Sequence, residues 1–155
     1  MRIDTDRLIL ISCEKEMCEK RGYEREHILK YLSVVKQNKN LEGWGPWLIF
    51  KKENGKLIGD GGFKGIVDDD GIVEIGYSIV ASAQNSGYGT EAVESLMKWA
   101  YGRGAEYIIA ECRQDNIGSI RVLEKVGMDK IATQNQMIFW QKRRRGSSKY
   151  NRKTS

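Results

Sequence analysis

Residues 79–100 read IVASAQNSGYGTEAVESLMKWA. An apolar run ends at Ile79 and Val80, and two glycines, Gly87 and Gly89, then bracket one tyrosine. A helical pattern follows, with Ala92, Val93, Leu96, Met97 and Ala100 on one face. Strand, glycine-rich turn and helix start in this order build an anion site. Backbone N–H groups of residues 85–90 point outward at the helix start, where the macrodipole adds roughly half a positive charge. Glycine lets the backbone approach a phosphate and accept positive φ. The segment therefore reads as a phosphate loop.

Working outward, residues 47–50 form a strand, Glu53-Asn54-Gly55 a tight turn, and residues 57–59 the returning strand. A second hairpin turns at Asp68-Asp69-Asp70-Gly71 into a strand over 72–80, so three consecutive strands are antiparallel. Ahead of them lie a short strand at 8–11 and a helix over 24–37, where Ile28, Leu29, Tyr31, Leu32 and Val35 recur at helical spacing. Beyond the loop helix, Gly102 and Gly104 stop the pattern and residues 106–112 read as a buried strand. A crossover of that length implies parallel pairing. A second amphipathic helix covers 117–126, with Ile120, Leu123 and Val126 inward and Gly127 as its stop. Short strands near 128–133 and 136–140 close the domain. The expected class is a mixed α/β (α+β) sheet in the order β-α-β-β-β-α-β-α-β-β, with splayed central strands and helices on both faces.

Composition narrows the classes. The 155 residues suit one domain, at 1–141, followed by a basic tail at 142–155 that carries much of the net charge of +5. That tail reads as a solvated segment, with a nucleic-acid or ribosome contact as the alternative. No run approaches the ~20 apolar residues of a membrane span, and the charged N-terminus lacks a signal peptide's apolar stretch. The 3 cysteines, Cys13, Cys18 and Cys112, form no C-x-x-C pair, so no disulfide framework or metal site is expected and a reducing cytoplasm fits.

Three phosphate patterns compete for the loop. A P-loop needs a lysine after its glycines, and none is present. GYGTEA satisfies the dinucleotide fingerprint G-x-G-x-x-A, with Glu111 at a suitable distance, but antiparallel hairpins precede it where parallel βαβ repeats belong. The third pattern is QNSGYG, or Q-x-x-G-x-G. Here the chain resembles the GNAT superfamily of acetyl-CoA-dependent N-acetyltransferases, in particular the branch acting on ribosomal-protein N-termini. The resemblance runs from about Arg7 to Trp140 and rests on TDRLIL, EIGYSI, GYGTEAVESLMKWA and DNIGSIRVLEKVGM, in order.

That resemblance implies acetyl transfer from acetyl-CoA to a primary amine, either a protein N-terminal α-amine or a small molecule, by direct attack in a ternary complex. It places Gln84, Asn85, Ser86, Gly87, Tyr88, Gly89 and Thr90 at the pyrophosphate, and Ile79, Val80 and Ala81 along pantetheine. Val80 would offer its N–H to the acetyl oxygen, with residues 109–112 as the opposite wall. Asn116 would fix pantetheine or the helix turn, and Ser119 would protonate the thiolate or cap the helix. The tyrosine many members carry seven residues after that asparagine is replaced by Leu123. Glu74 is the candidate base, directly or through water. A carboxylate ion-paired to a neighbouring strand is the other reading, and Asp60 is the alternate base. Trp44 and Trp47 are candidates for an acceptor wall together with the first helix, although core packing is the commoner use of such tryptophans. His27 reads as a surface or cap residue. A homodimer, a CoA-binding sensor without turnover and a dinucleotide-binding protein are the remaining alternatives.

Overall fold

The computed structural model describes residues 1–13 and 42–146. The expected first helix at 24–37, His27 and Cys18 lie outside the described residues, as does the tail after Gly146. Eight strands, β1 (Arg2–Asp4), β2 (Leu8–Ser12), β3 (Pro46–Lys51), β4 (Leu57–Phe63), β5 (Ile72–Ile79), β6 (Tyr107–Arg113), β7 (Asp129–Gln134) and β8 (Met137–Arg143), form one sheet in the order β1-β2-β3-β4-β5-β6-β8-β7. Two helices are described, α1 (Tyr88–Tyr101) and α2 (Ile117–Lys125). Strand β1, which the sequence reading omits, pairs with β2 through three residues. Such a short segment leaves little periodicity to read.

The sheet consists of two halves joined through β5. Its first residues, Ile72, Val73 and Glu74, pair in parallel with Tyr107, Ile108 and Ile109 of β6. Its later residues, Ile75 to Ile79, pair antiparallel with β4 instead. Past Glu74 and Ile109 the two parallel strands have no further ladder. The splay is therefore built into the register. It requires β4 to follow β5 to the end, and β4 does so through a glycine run. Gly62 has φ 154°, and a Cβ there would fall 2.1 Å from Gly45 O. Any side chain at that position would push β3 and β4 apart.

The main core lies on the face covered by both helices. Ala92, Val93, Leu96, Met97 and Ala100, the face read from the sequence, are all buried there against Val73, Ile75, Ile79 and Ile108. Trp140 and Leu123 extend the same cluster under α2. Trp44 and Trp47 belong to this core rather than to a pocket wall. They are nearly solvent-free and pack edge-on against Trp99 at 4.9 and 5.4 Å, and Trp47 Nε1 donates to Gly43 O at 2.8 Å. The indole N–H is thus satisfied within the fold. Cys13, Leu48 and Phe50 form a second, smaller cluster on the other face. Strand β8 continues to Arg143, and Arg144 N–H donates to Glu106 O at 2.8 Å. The first basic residues after 141 are therefore anchored to the sheet.

Candidate active site

The splay opens a cleft of about 380 Å³ between the end of β5, the loop after it and the cleft-facing side of α2. Ile79, Gln84, Asn85, Gly87, Gly89, Thr90, Asn116 and Ser119 all line it, so eight of the expected residues meet although the chain separates them into three segments. After β5 a short 3-10 turn at Ala81–Ala83 redirects the chain, and Asn85 adopts positive φ. Gly87 then stands at the N-cap of α1 in the left-handed region at φ 82° and, as a glycine, offers no capping side chain. The first-turn N–H groups of α1 are therefore available to an anion at the positive end of the helix dipole. Gly89 sits where a Cβ would come within 3.3 Å of both Tyr77 and Val122. The missing side chain lets α1 approach β5 and α2 while leaving backbone facing the cleft.

The rest of the cleft departs from expectation in informative ways. Val80 N–H donates to Ile58 O at 2.8 Å, so it is committed to β4 and does not face a ligand. The cause is strand parity. If Val80 hydrogen-bonds toward β4, its neighbour Ile79 directs its own N–H and C=O the other way, into the splay, and so does Tyr77. Consistently, Ile79 O accepts from Gln84 Nε2 at 2.8 Å on that side. Glu74, Val80, Ala81, Ser86 and Tyr88 are not among the lining residues. Nor are residues 109–112, because α2 provides the far wall. Cys112 is buried on β6 with Trp140 Nε1 3.4 Å from its sulfur, a packed thiol.

Sequence reasoning missed Tyr77, Ser78, Ala83, Gly118, Arg121, Val122 and Lys125. Four of these, Gly118, Arg121, Val122 and Lys125, recur at i, i+3, i+4 and i+7 along α2. That stripe is legible in the sequence as the face complementary to Ile120, Leu123 and Val126. Arg121 and Lys125 bring two cations to the cleft. Tyr77 lies two residues before Ile79 and so shares its face of β5. Its hydroxyl donates to Ser119 Oγ at 3.4 Å, and burial raises its pKa above the ordinary tyrosine value despite that hydrogen bond. Asn116 Oδ1 accepts from Ser119 N–H at 3.1 Å, capping α2 and fixing where the serine stands.

Glu74 occupies the last position of β5 that pairs with β6, at the point where those two strands part. Its carboxylate pairs with Lys64 Nζ at 2.8 Å, and its carbonyl accepts from Lys64 N–H at 3.0 Å. Alternation along β5 puts its side chain on the face away from α1. Asp60 is buried, and its partner in register, Ser78, lies on that same face. No group of metal-ligating residues occurs among the described residues, and no helix there is long and apolar enough to cross a membrane.

A mixed sheet split beside a phosphate-competent helix start is also the architecture of known acetyltransferases. The acetyltransferase (GNAT) domain family matches residues 4–129. The N-acetyltransferase YjdG of Bacillus subtilis (strain 168), described as uncharacterized, is 37% identical over 103 residues, covering 66% of this chain and 61% of that protein. A Salmonella typhimurium acetyltransferase that modifies the N-terminal serine of a 50S ribosomal subunit protein superposes with a TM-score of 0.76 at 16% identity, over 93% of this chain and 99% of that one. A ribosomal-protein alanine acetyltransferase from Vibrio fischeri gives 0.73 at 16% identity, over 94% and 98%. The chain belongs to the GNAT acetyltransferase family.

Proposed function

We propose that the protein transfers the acetyl group of acetyl-CoA to a primary amine, with both reactants bound together. One observation carries this reading. The ladder between β5 and β6 ends at Glu74 and Ile109, and the resulting gap leads to the start of α1, where Gly87 has no side chain to cap the helix. The residues present suit the cosubstrate. First-turn N–H groups of α1 can hold a pyrophosphate, with Arg121 and Lys125 balancing its charge across the cleft. The edge of β5 that faces the gap can hydrogen-bond an extended amide chain as a neighbouring strand would.

Acetyl-CoA supplies the thioester, and the chain supplies the surroundings. Ile79 N–H, rather than Val80 N–H, is the donor positioned by strand parity to polarise the acetyl oxygen. Ser119 Oγ, backed by the Tyr77 hydroxyl, supplies a proton to the departing thiolate sulfur. Glu74 takes the proton lost by the amine as the new C–N bond forms, through water and with release from Lys64. The thioester C–S bond breaks as that proton account closes.

A protein N-terminal α-amine is the first acceptor class to test, supported by the acceptors of the Salmonella and Vibrio neighbours. A cytoplasmic setting is supported by the buried thiol of Cys112, packed beside Trp140 Nε1 at 3.4 Å. Thiol release from acetyl-CoA, measured with peptides beginning in serine or alanine and with polyamines, tests the function. Release with peptides alone supports the N-terminal reading, and release with polyamines alone overturns it. Calorimetric binding of CoA without thiol release from any acceptor would instead support a sensor.

A further inference from the structure

The turn between β1 and β2 lies about eighty residues before the phosphate loop, yet its side chains hold that loop from behind. Arg7 Nη1 donates to Ser86 O at 2.8 Å, and its guanidinium stacks 4.3 Å from the centre of the Tyr88 ring. Arg7 Nε and the Arg7 backbone N–H donate to the two oxygens of Glu91, each at 2.8 Å, and Thr5 Oγ1 donates to the same carboxylate. Thr5, Asp6, Gly87, Thr90 and Glu91 line an open groove there, while Gly87 and Thr90 also line the cleft. The loop is thus a partition, with the clamp on one side and the ligand space on the other.

A peptide unit is planar and trans, so its C=O and the following N–H point in opposite directions. Fixing Ser86 O toward Arg7 therefore turns Gly87 N–H away from Arg7, toward the cleft. The second effect is electrostatic. Glu91 stands in the first turn of α1, where a carboxylate competes with a bound phosphate for the helix's positive end. Arg7 and Thr5 draw that carboxylate to the far side of the partition and neutralise it. Partial burial pushes the Glu91 pKa up, but the hydrogen bonds from Thr5 and Arg7 outweigh this and hold it below the ordinary value.

We propose that Arg7 is a positioning residue for the pyrophosphate half of acetyl-CoA: it aims Gly87 N–H into the cleft and keeps Glu91 from repelling the phosphates. The proposal rests on the reading of the cleft as an acetyl-CoA site. Its test compares acetyl-CoA with S-acetylpantetheine, which carries the same thioester and amide arm without pyrophosphate. Arg7→Ala should raise the calorimetric Kd for acetyl-CoA about tenfold or more, while kcat/KM with S-acetylpantetheine stays within about twofold. Arg7→Lys keeps the charge and the stem but loses the fork, so it should give an intermediate Kd and guards against a variant that fails to fold. Equal losses with both acyl donors, or an unchanged acetyl-CoA Kd in both variants, would overturn the clamp while leaving the cofactor reading intact. A wild-type protein that does not bind acetyl-CoA would overturn both.

Discussion

Replacing Thr90 with glutamate separates stability from ligand binding at the loop. Thr90 is the third residue of α1 and lines the cleft. A carboxylate in the first turn favours the helix by about 0.3–1 kcal/mol, and glutamate has better helix propensity than threonine. The fold should therefore hold or gain slightly. Binding should suffer, because the new charge stands beside the place a pyrophosphate would occupy. At ~5 Å and an effective dielectric of ~20, one pair of like charges costs roughly 3 kcal/mol, or about 100-fold in affinity after modest screening. Thr90→Gln has similar reach without the charge and serves as control. Calorimetry with acetyl-CoA and thermal unfolding of the apo protein make the two measurements. The expected pattern is a Tm at or above wild type with an acetyl-CoA Kd raised about 100-fold for Thr90→Glu, against less than about tenfold for Thr90→Gln. Binding of the glutamate variant within threefold of wild type would refute the phosphate reading of the loop. The glycines themselves are poorer probes. Side chains at Gly89 would press on Tyr77 and Val122, and Gly87 needs φ 82°, so a failed variant there would not distinguish folding from binding.

Ser119→Ala should lower kcat by ~10²-fold with little change in KM for acetyl-CoA, and a loss under about threefold would restrict the serine to its place beside the Asn116 cap. Burial keeps the Tyr77 hydroxyl protonated past the ordinary tyrosine pKa, so Tyr77→Phe should lower kcat by a similar factor at every pH from about 6 to 9; a loss confined to one end of that range would count against a donor role. Glu74→Gln should reduce kcat/KM by ~10²-fold at neutral pH and recover partly at high pH, whereas Lys64→Ala, which frees the carboxylate, should not reduce it; full activity in both variants would leave Glu74 as an ion-pair partner only. Tyr101, whose hydroxyl donates to Lys142 O at 3.0 Å, is pushed up to about 12 by burial. Because its folded pKa exceeds the unfolded value near 10, its contribution to stability is intact below about pH 10 and is lost as pH rises toward 12. Tyr101→Phe should flatten the decline of Tm over that interval, and an unchanged alkaline slope would show that other groups govern it.

Chemistry between near neighbours in the chain is enough for the local elements and for the strand, glycine turn and helix start at residues 79–100. The buried face of α1, the stop at Gly102 and the hairpins before the loop follow from periodicity, turn chemistry and glycine, all of which act between near neighbours in the chain. The family resemblance then gathered three separate segments around one ligand, and eight of those residues line one cleft. Tertiary structure decided what depends on which neighbour a strand has. Val80 lost its expected role because β4 claims its N–H, a matter of register that spacing along one strand does not reveal. Trp44 and Trp47 went to the core because Trp99, about a third of the chain away, lies against them. The cations of α2 became part of the cleft only once the splay put that helix opposite the loop. Arg7 and Glu91 meet across the fold for the same reason: local patterning fixes which face a side chain takes, while only packing fixes what that face meets.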